Sequence, residues 1–294
     1  MDDILKLDHI FKFIDKITIL NDICFSLTDG EIVGFIGPNG SGKSSTMKII
    51  TSLWRANSGQ VLIANRNIKT QREEALNALS AMIEHPMLYT DLSGHENLRI
   101  IAWSRNVDNA RVKEIESLIN LKEAIHKSVK TYSLGMKQRL MLGMCLLPKP
   151  KLLLLDEPTN GLDPNGVLAF LSLIKEYSIK DQTAVLISSH QLHHLKSLCN
   201  RFIYIKEGKI ITPLANSSCI KYQFEVDRPI DLDYIVKTHF KCETTVNDKK
   251  VMIVLNQKTT LNMILQACLQ NRIMIKQIDH IEKTIEEEFS ELYQ

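Results

Sequence analysis

Gly37-Pro38-Asn39-Gly40-Ser41-Gly42-Lys43-Ser44 fits the pattern G-x-x-x-x-G-K-[ST], whose chemistry is the binding of phosphate oxygens. Its glycines let backbone N–H groups turn inward around an anion. Lys43 adds a mobile point charge, and Ser44 brings a hydroxyl suited to a magnesium ion that bridges phosphates, with Ser45 beside it as a further nucleotide contact. An accidental match in a flexible turn is the competing reading. The apolar run Ile32-Val33-Gly34-Phe35-Ile36 before the loop and the helical pattern over residues 43–51 after it argue for a genuine site. A strand that delivers the loop and a helix N-terminus aimed at the phosphates are the context the motif requires.

A second segment supplies carboxylates. Leu152-Leu153-Leu154-Leu155-Asp156-Glu157 ends a buried apolar run on two acids, at the strand end where open parallel sheets place their ligands. Asp156 is the candidate for holding magnesium, and Glu157 the candidate for polarising a water that attacks the γ-phosphate. Taken alone, an acidic strand exit is common; the phosphate loop upstream gives it a purpose. His190 follows the apolar run Val185-Leu186-Ile187 and the polar pair Ser188-Ser189. An imidazole there can contact the γ-phosphate and sense its loss, or it can be a solvated capping residue.

The elements that must position these groups read as follows. Residues 5–27 alternate like short strands, Asp29-Gly30 makes a turn, and residues 60–64 read as another strand, at the edge of the same domain, after the turn Ser58-Gly59. From about 86 to 150 the spacing turns helical, with Val112, Ile115, Leu118 and Ile119 on one face. Strand character returns at residues 152–155 and 184–187 with a helical stretch between them, which implies a parallel sheet. The segment Thr212-Pro213-Leu214-Ala215-Asn216-Ser217-Ser218 reads as a linker into a small α+β domain with strands at 222–226 and 251–255. Ile281, Ile285, Phe289 and Leu292 fit one face of a closing helix, with Thr284 and Glu287 as its capping box.

Composition narrows the class. The chain has 294 residues, 44% hydrophobic and 24% charged, as an ordinary two-domain globular protein would. Lys plus Arg (36) and Asp plus Glu (34) leave a formal charge of +2, so no nucleic-acid partner is expected from charge. The six cysteines, Cys24, Cys145, Cys199, Cys219, Cys242 and Cys268, form no C-x-x-C pair; neither zinc spacing nor a redox motif results, and buried reduced thiols are expected. Met1-Asp2-Asp3-Ile4-Leu5-Lys6 lacks the basic flank and apolar run of a signal peptide, and no apolar run reaches the roughly 18 residues of a membrane span. A cytoplasmic location is expected, with any membrane role supplied by a separate partner. His193-His194 beside Leu192, Leu195 and Cys199 reads as a surface pair next to a core stripe, since adjacent helical residues do not project as metal ligands would.

The class within the phosphate-loop proteins turns on Tyr132-Ser133-Leu134-Gly135-Met136-Lys137-Gln138-Arg139, which resembles the signature of the ABC family. The usual pattern is L-S-G-G-Q; Ser133 and Gly135 match it, while Tyr132, Leu134 and Met136 depart. Asn160-Gly161-Leu162-Asp163 is similar to the family's D-loop and His190 to its H-switch, and the resemblance covers about residues 4–212. It implies a P-loop NTPase (RecA-like) ABC nucleotide-binding domain, residues 1–213, with an antiparallel β subdomain and an α-helical subdomain at about 86–150, followed by an α+β accessory domain at 214–294. It also implies ATP and Mg2+ as cofactors and ATP hydrolysis in a head-to-tail homodimer, where Ser133 and Gly135 of one subunit face the ATP held by Lys43 of the other. An integral membrane permease is the implied partner, with the chain peripheral at the inner face of the membrane. An ABC ATPase acting on ribosomes or DNA and a non-hydrolysing scaffold are the alternatives.

Two departures matter. In Ile83-Glu84-His85-Pro86-Met87-Leu88-Tyr89 a glutamate stands where the family has glutamine. An ionised glutamate only accepts hydrogen bonds, so Glu84 can reach magnesium or water but cannot donate to a phosphate oxygen. This glutamate, the Y-S-x-G-M-K-Q-R form of the signature and the C-terminal extension resemble the bacitracin and lantibiotic self-immunity branch. The second departure is near position 14, where the adenine-stacking aromatic of the family falls. Ile14 occupies it, and the adjacent Phe13 is either the stacking ring or a core residue of an edge strand.

Overall fold

The computed structural model describes residues 3–83, 88–189, 195–211, 221–256, 259–281 and 293. The chain divides into two compact units, Met1–Ile211 and Thr212–Gln294.

The first unit is built on a six-stranded sheet. Its strands are β3 (Ile32–Ile36), β6 (Leu79–Met82), β7 (Leu152–Asp156), β8 (Ala184–Ser188), β9 (Arg201–Lys206) and β10 (Lys209–Ile211), in the order β10-β9-β3-β8-β7-β6. All neighbours are parallel except β10 and β9. Strands β3, β7 and β8 are buried at every position, as continuous Val/Ile/Leu runs must be when helices cover both faces.

A four-stranded antiparallel sheet packs into the same core. Residues 5–27 form two 12-residue strands, β1 (Asp3–Ile14) and β2 (Ile17–Thr28), rather than several short ones. Asp15 and Lys16 join them, both at positive φ (46° and 70°), the backbone that a two-residue hairpin turn demands. The strand expected over residues 60–64 is β4 (Ser58–Ile63), which lies in the sheet between β1 and β5 (Arg66–Asn67).

Between β6 and β7 the chain is helical: α3 (Gly94–Ser104), α4 (Asn109–Ile119) and α5 (Leu134–Leu146). Ser93 and Glu96 form a capping box that starts α3. Val112, Ile115 and Ile119 are fully buried, as the spacing predicts, whereas Leu118 is only partly covered. After β7 comes the long helix α6 (Pro164–Asp181). Arg111 ties these helices together. It is buried, and its Nη2 donates to Leu146 O (2.8 Å) at the end of α5 and to Tyr177 Oη (2.9 Å) on α6, while Nη1 lies 2.8 Å from Glu114 Oε2. Carbonyls in the last turn of a helix lack intrahelical donors, so the guanidinium satisfies a group that burial would otherwise penalise. Glu114 also receives Lys180 Nζ at 2.7 Å, and the two cations, Lys180 foremost, hold its carboxyl down to about 2.

The second unit is a four-stranded antiparallel sheet in the order β12-β13-β11-β14: β11 (Lys221–Val226), β12 (Glu243–Asn247), β13 (Lys250–Val254) and β14 (Ile275–Ile281). Helices α7 (Pro229–Ile235) and α8 (Leu261–Gln270) complete it around Phe224, Val236, Ile253, Ile264 and Cys268. Two expectations change here. Ile281 closes strand β14 instead of opening a helix, because it pairs with Lys221; Thr284, Ile285, Glu287, Phe289 and Leu292 lie outside the described residues, as does the expected linker. The cysteines are also not uniformly buried: Cys24 is exposed on β2, and Cys145 and Cys199 are partly covered. Cys24 sits on the solvated face of an antiparallel sheet, where strand alternation turns its thiol to water.

Replacing Arg111 by Met removes the donor to Tyr177 Oη and the shortest of the donors to Leu146 O, which keeps Tyr177 Oη and Lys149 N–H (both 3.2 Å), while retaining the aliphatic volume. Stability should fall by about 2–3 kcal/mol, read as a lower urea midpoint with an unchanged slope. The Glu114 contribution has the opposite pH sense to that of a raised base: its folded pKa is depressed, so the stabilisation is present above the ordinary carboxylate range and is lost as pH falls toward 2.

Candidate active site

The loop between β3 and α1 (Lys43–Ile50) is shaped by its glycines. Gly42 is the residue before the helix, at φ 112°, a conformation side chains rarely adopt; a Cβ there would meet Leu20 Cδ2 at 2.7 Å. It offers no side-chain cap, so nothing on that residue competes for the first-turn N–H groups of Lys43, Ser44 and Ser45, which an anion can take. At Gly37 a Cβ would come within 2.5 Å of Ile205 O, so the loop lies directly on β9. Pro38, Asn39 and Gly40 are exposed, and around Gly40 there is open space. Ser41 is buried, and its Oγ has no hydrogen-bond partner among the described residues. An orphaned hydroxyl at the floor of a turn of inward N–H groups fits a phosphate acceptor.

Lys43 is 6% exposed. Its Nζ donates to Gly37 O (2.7 Å) and Pro38 O (3.1 Å) and lies 4.0 Å from Glu157 Oε1. Burial pushes the ammonium below its ordinary pKa, and the carboxylates of Glu157 and Asp156 oppose that shift. The cation is therefore held at the loop by two carbonyls and a distant acid.

Asp156 is buried at the end of β7, directly across from Ser188 at the end of β8. Ser188 Oγ donates to Asp156 Oδ1 (2.6 Å) and accepts the N–H of Glu157 (2.9 Å). One hydroxyl thus fixes both the carboxylate and the backbone that follows it. Glu157 leaves the strand at φ 49°, an uncommon conformation for a long side chain, and this turn brings its carboxylate toward Lys43. Ser44, partly buried in the first turn of α1, and Asp156 make a hydroxyl and carboxylate pair of the oxygen type that magnesium accepts. Ser188 is the residue that sequence reasoning missed. Its signal in the sequence is a polar residue ending an apolar strand, Val185-Leu186-Ile187-Ser188.

The signature residues lie elsewhere. Ser133 is the N-cap of α5 and accepts Met136 N–H at 3.3 Å. Tyr132, where the usual pattern has leucine, is buried and donates its hydroxyl to Ala124 O at 2.6 Å. Ser133 and Gly135 line a cleft of about 490 Å³ with Arg139, Leu162, Asp163 and Asn165; none of the lining residues belongs to the phosphate loop or to the Asp156-Glu157 pair. Gly161, at φ 77°, lets the following turn pass close to Leu134 Cδ2. The structure therefore brings Gly37, Ser41, Lys43, Asp156 and Glu157 together, and the cleft lined by Ser133 and Gly135 includes none of them.

Phe13 is 42% exposed at the end of β1, stacked on Phe11 with ring centres 6.5 Å apart. The core alternative for this ring is thereby excluded. Glu84, His190 and the pair His193-His194 lie outside the described residues.

Residues 20–160 match the family described as ABC transporter. An ABC transporter ATP-binding protein of Bacillus subtilis, YhcH, is 33% identical over 99% of this chain and 96% of its own length. This chain belongs to the ABC transporter ATP-binding proteins. The lantibiotic transport ATP-binding protein SrtF of Streptococcus pyogenes is 37% identical over 70% of this chain and 89% of its own. The bacitracin transport ATP-binding protein BcrA of Enterococcus faecalis is 29% identical over 99% and 97%. A solved ATP-binding subunit of an ABC transporter superposes with a TM-score of 0.65 at 28% identity, over 71% of this chain and 88% of that one. The ABC ATPase fold expected from the signature is thus the fold observed, and ATP is the nucleotide of the family.

Ser188→Ala in this ABC ATPase should leave ATP binding in the absence of magnesium unchanged. With Asp156 as a magnesium ligand, the Mg2+ concentration for half-maximal hydrolysis would rise about tenfold, the usual effect of losing a residue that orients a metal ligand. A magnesium titration identical to wild type would mean that β7 alone positions Asp156.

Proposed function

We propose that this chain is the ATP-hydrolysing subunit of an exporter that protects its host against antimicrobial peptides of the lantibiotic or bacitracin type. It works as a head-to-tail homodimer beneath a separate membrane permease. The observation that carries the dimer is the separation of Ser133 and Gly135 from the cluster of Lys43, Asp156 and Glu157. A second copy, set head to tail, would bring its Ser133 and Gly135 to the cluster of Lys43, Asp156 and Glu157. The peptide class rests on the relatives whose names specify lantibiotic and bacitracin transport.

In this reading Gly37, Pro38, Asn39, Gly40, Ser41, Gly42, Ser44 and Ser45 cradle the phosphates, and Lys43 moves its ammonium from the carbonyls of Gly37 and Pro38 to the phosphate oxygens. Ser44 and Asp156 would hold Mg2+, with Glu84 reaching it directly or through water; bound there, the ion supplies charge neutralisation across the phosphates. Glu157 accepts the proton of a water as its oxygen bonds to the γ-phosphorus and the bond to the bridging oxygen breaks. His190 contacts the γ-phosphate, and Phe13 stacks on adenine. Ser133 and Gly135 offer the N-terminus of α5 to the γ-phosphate of the partner's ATP. The organisation proposed is an ATP-binding domain over residues 1–213, with its helical subdomain at about 86–150, and an accessory domain over 214–294. Among the described residues no helix is long and apolar enough to cross a membrane, so membrane attachment is assigned to the permease, on its cytoplasmic side.

Copurification from membranes with an integral protein, and ATP hydrolysis by that complex, are the tests. Recovery bound to ribosomes or DNA instead would overturn the transport role. Within the complex, Glu157→Gln should keep ATP affinity while lowering turnover by roughly 100-fold or more, and Lys43→Ala should lose affinity itself. Wild-type turnover in Glu157→Gln would move the base to another residue. Ser133→Ala should spare nucleotide binding by the monomer and impair only hydrolysis in the dimer.

Glu84 separates chemistry from coupling. Glu84→Gln should leave basal hydrolysis within several-fold of wild type while protection of host cells changes measurably, and Glu84→Ala should be more damaging because it removes the acceptor altogether. Full protection by both variants would remove the coupling role from this residue.

A further inference from the structure

His9, Asp22 and Cys24 converge on the exposed face of the β1–β2 hairpin, outside the nucleotide site. Their ligand atoms all lie within 4.8 Å of one another. Cys24 Sγ is 3.6 Å from His9 Nδ1 and 3.7 Å from Asp22 Oδ1, and His9 Nδ1 is 2.6 Å from Asp22 Oδ1. Backbone irregularity creates this convergence. Leu7 pairs with Phe25 and Ile10 with Ile23, so Asp8 and His9 together face the single residue Cys24; this is a bulge. His9 and Asp22 both adopt positive φ, 49° and 62°, which side chains of their kind accept more readily than most.

We propose that these three residues bind a borderline-soft divalent cation of the Zn2+ type, which clips β1 to β2. The distances bear on this directly. With ordinary zinc bond lengths to S, N and O, a tetrahedral site sets its sulfur to nitrogen and sulfur to oxygen edges at about 3.6 Å. Both cysteine distances already match that figure. The His9–Asp22 contact has to open to about 3.4 Å, a shift of less than one ångström between two exposed side chains. A thiolate with an imidazole selects zinc over magnesium or calcium, which prefer all-oxygen shells.

Support groups are in place as well. Burial, with the carboxylates of Asp22 and Asp8, pushes the Cys24 thiol up, and the backbone N–H of His9, donating to Sγ at 3.2 Å, opposes that shift; a bound cation would supply the charge that the thiolate needs. Asp8 Oδ1 lies 3.9 Å from Nε2, the other ring nitrogen of His9, outside hydrogen-bond distance but on the side from which a carboxylate would orient a metal-bound imidazole. On binding, Cys24 releases its thiol proton and His9 coordinates as the neutral ring, and the fourth position is open to water.

The test is Co2+ titration of the full chain under reducing conditions, with Zn2+ as competitor. One equivalent of Co2+ should give the near-ultraviolet thiolate charge-transfer band and the strong visible bands of a tetrahedral site, both abolished by Zn2+. Cys24→Ser should remove the charge-transfer band. His9→Gln and Asp22→Asn should each weaken binding roughly tenfold or more, and Lys43→Ala should leave the spectrum unchanged. Thermal melting without metal checks that each variant is folded, and Zn2+ should raise the melting temperature of wild type but not of Cys24→Ser. No thiolate band with wild type, or an undiminished one in folded Cys24→Ser, overturns the proposal.

Discussion

Strands β3, β7 and β8 are buried along their whole length, and that constraint decides where this protein can keep polar chemistry. A charged group inside such a layer would be desolvated without compensation, so polar residues are driven to the strand ends. Parallel register then brings those ends together: Ser188 lies between Phe35 of β3 and Asp156 of β7 in the sheet. The phosphate loop leaves from the end of β3, the acidic pair from the end of β7, and the hydroxyl that joins the acidic pair from the end of β8. One sheet edge thus assembles groups more than a hundred residues apart in sequence.

The electrostatics of that edge follow from its dryness. Lys43 carries a charge in a place that disfavours it, and its three nearest oxygens, two carbonyls and a carboxylate at 4.0 Å, compensate only in part. A highly charged anion such as a triphosphate would complete the compensation. The left-handed backbone at Glu157 has the same character. It costs energy in isolation, but its N–H is held by Ser188 and its carboxylate is turned toward the cation.

The helical part of the first unit is connected differently. Buried Arg111 reaches α5 and α6 at once, and Glu114 passes the link on to Lys180. Helix α6 begins immediately after the turn of Asn160-Gly161-Leu162-Asp163, and α5 begins at Ser133. Arg111 thus joins the C-terminal end of α5 to Tyr177 of α6 by direct hydrogen bonds.

Sequence by itself determined the phosphate loop, the acidic pair and the signature, and through them the family. Each of these is a short local pattern whose function depends on backbone conformation within a few residues, such as the glycines at 37 and 42. The fully buried strands were legible for a similar reason, since a continuous apolar run has no other low-energy place. What only the tertiary structure decided depends on partners distant in sequence. Ser188 became a positioning group because β8 aligned it with Asp156; Phe13 proved exposed because the hairpin ends there; β4 is an inner strand because β5 pairs beyond it. His9 and Cys24, fifteen positions apart, meet through a bulge that no local spacing announces. Register and bulges are set by which side chains the whole core can bury, and that choice is made by packing across the sheet.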